Sequence, residues 1–241
     1  MSFKPSIKLT LVLFALALVF MRLGWWQIER KAEKEMLFEQ FENAPVLSLS
    51  EAMKQEELFA RVGVGGRYDT ERHILLDNKI HNGRPGVHVL TPFILEDRTQ
   101  ILVNRGWLPL AADRRSLPQF DTDGRDRVIS GILNRPSIGG KRLGEADIVK
   151  ADGWPQLVTY LDIETVGEAM QVSLEPWLLQ LDAGDDSGFE DRQWQAAVMA
   201  PEVHGAYALQ WFSLAAAALV IWIILGVNNA RSKQTRTQAG K

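Results

Sequence analysis

The residue with the clearest potential for chemistry is His204, at the start of a long apolar segment. No charged residue occurs from Tyr207 to Val227, which at helical rise is enough to cross a hydrocarbon layer roughly 30 Å thick. In such a helix His204, Tyr207 and Trp211 lie at i, i+3 and i+7 and share one face. Two interpretations stand: a structural histidine bonded to backbone or lipid headgroups, and an axial ligand of a haem iron.

A haem at this position would be held without thioether bonds, because the chain has no cysteine and therefore no Cys-x-x-Cys-His motif. The same absence excludes thiol catalysis and thiolate-bound copper or zinc. The sequence also contains no P-loop, Gly-x-Ser-x-Gly or His-Glu-x-x-His motif. A hydrolase on a β scaffold would need a nucleophile–base pair, and none can be named, so we do not expect an enzyme.

Three other groups of polar residues are weaker candidates for binding a metal ion or a carboxylate. His73, His81 and His88 lack the spacing of a metal site. The acidic stretch from Asp182 to Asp191 reads as a solvated loop rather than a cation site. Arg105 could bind a carboxylate or a propionate with two parallel hydrogen bonds, although a structural salt bridge is favoured on spacing alone.

A second apolar segment lies near the N-terminus, from Leu9 to Met21. An uncleaved membrane anchor is favoured over a signal peptide, because cleavage after the Ala15–Ala17 stretch would leave only about six apolar residues before it, short of a usual h-region of at least ~7. Trp25 and Trp26 follow the anchor and are typical of the aromatic belt at a membrane interface.

Charge is divided sharply along the chain. All 30 acidic residues lie between Glu29 and Glu202 with 20 of the 27 basic ones, so this middle section carries a net charge of −10 between basic ends. Basic flanks stay on the cytoplasmic side, which predicts cytoplasmic termini and a periplasmic middle domain. Without a basic stripe, nucleic-acid binding is not expected. A bacterial inner membrane is favoured, since no Arg- and Ser-rich presequence precedes the first anchor.

The middle section is predicted to be β-rich. Short apolar or alternating runs separated by Asn82-Gly83, Pro85-Gly86 and similar turn signals are typical of an antiparallel sandwich or small barrel. Short helices are expected after caps at Ser50 and Asp162. The predicted fold is therefore a membrane protein of the α+β class, with two transmembrane helices flanking a β-rich extracytoplasmic domain. Its predicted parts are residues 1–26, a first anchor; 27–203, a helical stalk and periplasmic domain; 204–228, a second membrane helix; and 229–241, a basic cytoplasmic tail.

Three stretches of the sequence resemble the surfeit-locus (Surf/Shy) family of cytochrome c oxidase assembly factors. They are Gly24 to Arg30 after the first anchor, Val103-Asn104-Arg105-Gly106-Trp107-Leu108-Pro109 in mid-chain, and His204 to Phe212 at the second anchor. Weaker matches run from Gly86 to Pro92 and from Val128 to Gly131. The resemblance covers nearly the whole chain in order, and it implies the same two-helix topology.

The resemblance implies a membrane-anchored assembly factor, not a catalyst, that acts on subunit I of a haem–copper oxidase and binds or relays haem a transiently. A haem a synthase is implied as a second partner, beside membrane lipid. His204 would then be the axial ligand, with Tyr207 and Trp211 packed on the macrocycle. The remaining expected contacts are one tryptophan of the first helix, Trp25 or Trp26, and one arginine at the propionates, Arg30 or Arg105.

An alternative function does not involve haem. The acidic periplasmic domain could dock oxidase subunits directly, as a protein-interaction chaperone in which His204 is only structural.

Overall fold

The computed structural model describes residues 3, 5–111, 116–136, 149–197 and 199–239, and the side chains of these residues as far as 230. The chain divides into two compact units, a helix pair formed by residues 1–39 and 196–241 and a β-rich domain formed by residues 40–195. The helices are α1 (Ile7–Glu42), α2 (Leu49–Lys54), α3 (Ile163–Met170) and α4 (Pro201–Ala239). The strands are β1 (Arg61–Tyr68), β2 (Ile74–His81), β3 (Arg84–Leu95), β4 (Gln100–Pro109), β5 (Arg127–Asn134), β6 (Gln156–Val158) and β7 (Leu174–Leu181).

Five strands of the domain close into a barrel in the order β1-β5-β7-β4-β3, and β2 and β6 extend the sheet beyond β3. The ring closes because β1 pairs with β5 over most of its length and with β3 at its end. Gly66 is the residue at which β1 changes partner, and a Cβ there would collide with the carbonyl oxygen of Ile94 and lie 2.8 Å from the Phe93 ring. A side chain at this position would therefore prevent closure.

Pairings among the described strands are antiparallel except for β4–β7 and β2–β6, which are parallel. Both parallel partners follow long connections, as parallel pairing requires. The β2–β3 hairpin turns through Asn82 and Gly83, whose φ angles are 49° and 73°. Positive φ at both central residues is the geometry that an Asn-Gly turn favours, so this turn prediction is confirmed.

Apolar side chains fill both faces of the barrel wall. Phe93, Ile101 and Leu179 are fully buried in the cluster that occupies the barrel, while Val166 and Met170 of α3 pack in a second cluster on its outside. At about 25 cal/mol per Å² of buried apolar surface, these clusters supply the main driving force for folding. The domain thus has a large core without disulfides.

The two long helices form an antiparallel pair along a narrow seam. The buried residues of α1 are Leu13, Ala17, Gly24 and Gln27, and four of the buried residues of α4 are His204, Ala208, Ala215 and Ala218. Pro201, Gly226 and Ala230 of α4 are buried as well. Both sets of four have the same 4-7-3 spacing, which is the spacing of a coiled-coil contact. Small residues dominate, as in closely packed membrane helices. Only 17% of the most apolar stretch of each helix is buried, so most of its apolar side chains are exposed rather than packed in a protein core.

The predicted fold class is confirmed: two apolar helices flank a β-rich domain. Asp162 caps α3 as predicted. The cap of α2 was expected at Ser50 and lies instead at Ser48, whose hydroxyl accepts from the Glu51 amide while the Glu51 carboxylate accepts from the Ser48 amide. This reciprocal capping box decides the start of the helix. The polar loops expected from Ala111 to Asp126 and from Ser137 to Asp152 fall partly outside the described residues. The membrane boundaries at residues 26, 204 and 228 stay predictions.

Candidate functional site

His204 lies in the first turn of α4 and faces α1. The helix begins at Pro201, a residue whose fixed φ suits the first helical position. His204 is 9% exposed, and its Nδ1 lies 2.8 Å from Oε1 of Gln27, which is also 9% exposed. The histidine is therefore bonded through Nδ1 to a side chain of the other helix.

The second ring nitrogen of His204 has a different environment. Because an amide oxygen only accepts hydrogen bonds, Nδ1 donates to Gln27 Oε1, and in the neutral ring Nε2 then carries a lone pair. Nε2 is buried and has no hydrogen-bond partner among the residues that the structure describes. A buried polar atom without a partner is uncommon and points to a ligand or another group that the atom would bond.

The expected aromatic residues divide between the seam and the outside of the helix pair. Trp211 is partly buried and stacks on Phe20 of α1, with ring centroids 5.8 Å apart. Tyr207 is 45% exposed and lies beside the seam rather than in it. Trp25 and Trp26 are 60% and 42% exposed. The structure therefore brings Trp211 to the seam with His204, and it leaves the other three rings on the surface of the pair.

Two cations of α1 follow Gln27. Arg30 lies three residues further along and binds Glu33, with Nη2 2.7 Å from Oε1, while its Nε is buried without a partner among the described atoms. Lys31 binds Glu35 at 3.2 Å, and its stem lies over Gly205, where an added Cβ would be 3.5 Å from Lys31 Cδ. The part of α1 adjoining the His204–Gln27 contact thus carries two cations, each paired with a glutamate of the same helix.

Arg105 lies in the β-rich domain and is only 4% exposed. Its guanidinium is sandwiched between the rings of Tyr68 and Phe189, each 4.7 Å away, and donates to Ser187 O and Thr122 Oγ1. Burial lowers the pKa of Arg105 to about 10. Both of these hydrogen-bond acceptors are neutral, and no salt bridge of Arg105 occurs among the residues that the structure describes.

The pocket beside Arg105 has a mixed lining. Arg127 stands next to the carboxylates of Asp121, Asp123 and Asp186 at its wall. Arg127 is paired with Asp186 and Asp123, at 3.2 and 3.5 Å. An anionic guest would meet three carboxylates here, which disfavours a propionate in this pocket.

The three remaining histidines have separate partners in the domain. His73 lies within hydrogen-bond distance of Thr91 Oγ1 and Thr70 O, His81 of Asp191, and His88 of Asn104. No metal-binding group of three or more His, Cys, Asp or Glu side chains occurs in the described part of the chain.

Parts of both long helices and the whole β-rich domain lie in a region that matches a known protein family. A model of the SURF1 family matches residues 14–216, which include α1 from Phe14 onward, the β-rich domain and the first half of α4. The chain belongs to the SURF1 family.

Individual SURF1 relatives match over differing shares of their own length. A SURF1-like protein of Rickettsia felis is 26% identical over 90% of this chain and 96% of its own length. Surfeit locus protein 1 of Xenopus tropicalis is 27% identical over 83% of this chain and 70% of its own length. The protein named cytochrome oxidase assembly protein SHY1 of Saccharomyces cerevisiae is 26% identical over 63% of this chain and 41% of its own length. The resemblance to this family is confirmed.

All three motifs that carried the resemblance lie inside the region matched by the SURF1 family model. Gly24 and Gln27 come from the first motif, and His204 and Trp211 from the third, so these two motifs meet in the helix seam. Sequence reasoning gave Gln27 no role. The available signal was a glutamine three residues after Gly24, at the end of an apolar segment where an amide needs a partner.

Proposed function

We propose that this protein is an assembly factor for a haem–copper terminal oxidase, and that it holds haem a transiently at His204 for delivery to oxidase subunit I. Membership of the SURF1 family supports the assembly role, since one relative carries the name cytochrome oxidase assembly protein. The observation that carries the haem assignment is the buried Nε2 of His204, which has no hydrogen-bond partner in the described part of the chain.

The residues around His204 fit the chemistry of a haem. A neutral imidazole with one nitrogen bonded to the protein and a lone pair on the other is the form that ligates haem iron. Bound haem a would supply an iron that can accept the imidazole lone pair, a flat apolar ring and two anionic propionates. Trp211 would pack on the ring, with Tyr207 and either Trp25 or Trp26 at its edge.

Arg30 is the better candidate for the propionates. Its Nε lacks a partner, whereas Arg105 is engaged by neutral oxygens and aromatic rings in a pocket with three carboxylates. A guanidinium nitrogen that has no acceptor gains a charge-assisted hydrogen bond from a propionate oxygen. We therefore assign the propionate contact to Arg30 and leave Arg105 as a structural residue.

We place the protein in a bacterial inner membrane, with both termini cytoplasmic and the β-rich domain in the periplasm. The basic ends and the acidic middle support this orientation, and relatives from Rickettsia support a bacterial setting. A haem a synthase would be the source of the cofactor, and subunit I of the oxidase its acceptor.

Co-expression with haem a synthesis tests the ligand assignment. The purified wild-type protein should carry haem with a Soret band, and His204→Ala should lose most of it. Val203→Ala, which changes an exposed neighbour in the same turn, should bind as the wild type does. Equal haem content and unchanged spectra in His204→Ala would refute the haem site.

The rival function, a chaperone that docks oxidase subunits through its acidic domain, is favoured by the net charge of −10 between Glu29 and Glu202. It predicts that charge reversals such as Glu71→Lys and Glu96→Lys abolish oxidase assembly while His204→Ala does not. The haem-carrier proposal predicts the reverse. Oxidase activity in membranes of each mutant strain separates the two functions.

A further inference from the structure

Gln27 is an unusual residue for its position. It is a buried polar side chain at the end of the apolar part of α1, in a seam otherwise lined by residues such as Leu13, Ala17 and Gly24. An amide transferred to an apolar environment without a partner costs roughly 1–3 kcal/mol in protein measurements. Gln27 has such a partner, because its Oε1 accepts a hydrogen bond from His204 Nδ1.

The backbone of α1 brings Gln27 close enough for this bond. Gly24 lies one helical turn before it, and a Cβ at Gly24 would be only 2.7 Å from Cε1 of Phe212. Because Gly24 has no side chain, the Phe212 ring can lie against the α1 backbone, and the helices can approach closely. Gln27 and His204 then meet across the seam at 2.8 Å.

The bond determines which nitrogen of His204 carries the proton. A free neutral imidazole can place its proton on either nitrogen, and the partner of one nitrogen selects the form. Here the acceptor at Nδ1 requires N–H at Nδ1 and leaves the lone pair at Nε2, the atom without a partner. Gln27 also restricts rotation of the ring, since a rotated imidazole would break the bond.

We propose that Gln27 is a positioning residue for His204: it fixes the Nδ1–H tautomer and the ring orientation, and so keeps the Nε2 lone pair available to an incoming iron. The tautomer is a property of the haem-free protein, whereas the identity of the incoming ligand rests on the proposed function. The two statements can therefore fail separately.

The test is ¹⁵N nuclear magnetic resonance of histidine-labelled full-length protein in detergent, recorded at about pH 9, well above the ordinary histidine pKa of ~6.5. The chain has four histidines, so the His204 signals are identified by their loss in His204→Ala. In the wild type, Nδ1 should show the shift of a protonated ring nitrogen and Nε2 that of an unprotonated one. The opposite pattern in the wild type would overturn the proposal, whatever any variant does.

Two substitutions of Gln27 sharpen the result. Gln27→Leu removes the acceptor and should move a large part of the His204 population to the Nε2–H form, while Gln27→Glu keeps an acceptor and should retain Nδ1–H. Gln40→Leu, an exposed glutamine of the same helix, is the control and should leave the pattern unchanged. A Gln27→Leu spectrum identical to that of the wild type would contradict the proposal.

Haem affinity provides the second readout. Loss of a residue that orients a metal-binding histidine typically weakens metal binding by about 10–100-fold, so haem titration of Gln27→Leu should show a loss of this size, with recovery in Gln27→Glu. If the wild type binds no haem but shows the Nδ1–H pattern, the proposed function fails and the role of Gln27 stands. If Gln27→Leu shifts the tautomer but retains full haem affinity, the tautomer role holds and the positioning role toward iron is refuted.

Discussion

The ring of Phe212 lies directly against the backbone of Gly24, where even a methyl group would approach Cε1 to 2.7 Å. Gly24 belongs to α1 and Phe212 to α4, so this contact sets how closely the two long helices pack. On α1 it lies one turn from Gln27, and on α4 it lies about two turns from His204, so both contacts belong to the same part of the helix pair.

Replacing Gly24 by leucine should separate the helices at this point. The new side chain cannot share the space of the Phe212 ring, so α4 must move or the ring must leave the seam. Because the chain lacks cysteine, a Phe20→Cys/Trp211→Cys pair beside Gly24 can report the separation by its yield of cross-linking with a short bifunctional thiol reagent. We expect the yield to fall several-fold in Gly24→Leu. Ala32→Leu, on the exposed surface of the same helix, should leave the yield unchanged, and an unchanged yield in Gly24→Leu would contradict this view of the seam.

Replacing Arg105 by methionine should destabilise the β-rich domain. The substitution removes the hydrogen bonds to Ser187 O and Thr122 Oγ1 and the stacking on two rings. The expected loss is about 2–4 kcal/mol in the free energy of unfolding, measured by urea titration with tryptophan fluorescence. Arg125→Met, which changes a largely exposed guanidinium, should cost about 1 kcal/mol or less. Equal losses in the two variants would show that burial of Arg105 contributes nothing.

Gly106 should tolerate no side chain. Its φ is +109°, and an added Cβ would lie 2.5 Å from the carbonyl oxygen of Glu190, the group that accepts from Trp107 N. Gly106→Ala combines backbone strain with this collision and should lower stability by about 2–4 kcal/mol. Gly83 also has a positive φ, +73°, and nothing lies within 4 Å of a Cβ added there. Gly83→Ala therefore tests backbone strain without a collision and should cost about 1 kcal/mol. A smaller loss at Gly106 than at Gly83 would be inconsistent with the structure.

His88 should make the domain sensitive to mild acid. Burial lowers its pKa to about 4 from the ordinary 6.5, so the unfolded chain takes up a proton at a higher pH than the folded chain does. The contribution of neutral, buried His88 to the free energy of unfolding is therefore fully present above pH 6.5. It is lost as the pH falls toward 4, and the loss is about 3 kcal/mol at most. His88→Asn keeps an acceptor for Asn104 and should flatten the difference between unfolding free energies at pH 7 and pH 4.5. Parallel pH profiles for both proteins would disprove the assignment.

Local patterns in the sequence were enough to predict most elements of the fold. Alternating apolar residues identify the strands, the Asn82-Gly83 turn identifies a hairpin, and Asp162 marks the start of α3. These features depend on neighbouring residues. The pairing of β1 with two strands and the parallel pairing of β7 with β4 depend on contacts between distant segments of the chain. The local alternation of apolar and polar residues gives no information about such contacts.

The same distinction applies to the candidate site. The residue type and position of His204 identified it as a candidate ligand from the sequence. Its partner Gln27 lies 177 positions away along the chain, so the pair could not be predicted from spacing. A spacing of three and seven residues from His204 predicted that Tyr207 and Trp211 share its face. The buried face instead continues four residues after His204, so Ala208 is buried and Tyr207 is exposed. The face of a helix that meets its neighbour is decided by which small residues allow approach, and this cannot be read from one helix alone.

The helix pair has one polar contact near each end. Trp222 Nε1 donates to Thr10 Oγ1 at 2.9 Å, and His204 bonds Gln27 at 2.8 Å, with apolar and small residues between them. Sliding one helix by a single turn, about 5.4 Å, would break both contacts together. Trp222, His204 and Gln27 would lose these partners in an apolar setting, whereas Thr10 would keep its bond to Ser6 O. Parting the helices at the His204 end breaks only one. These two contacts therefore resist translation of one helix along the other more strongly than they resist separation at the His204 end.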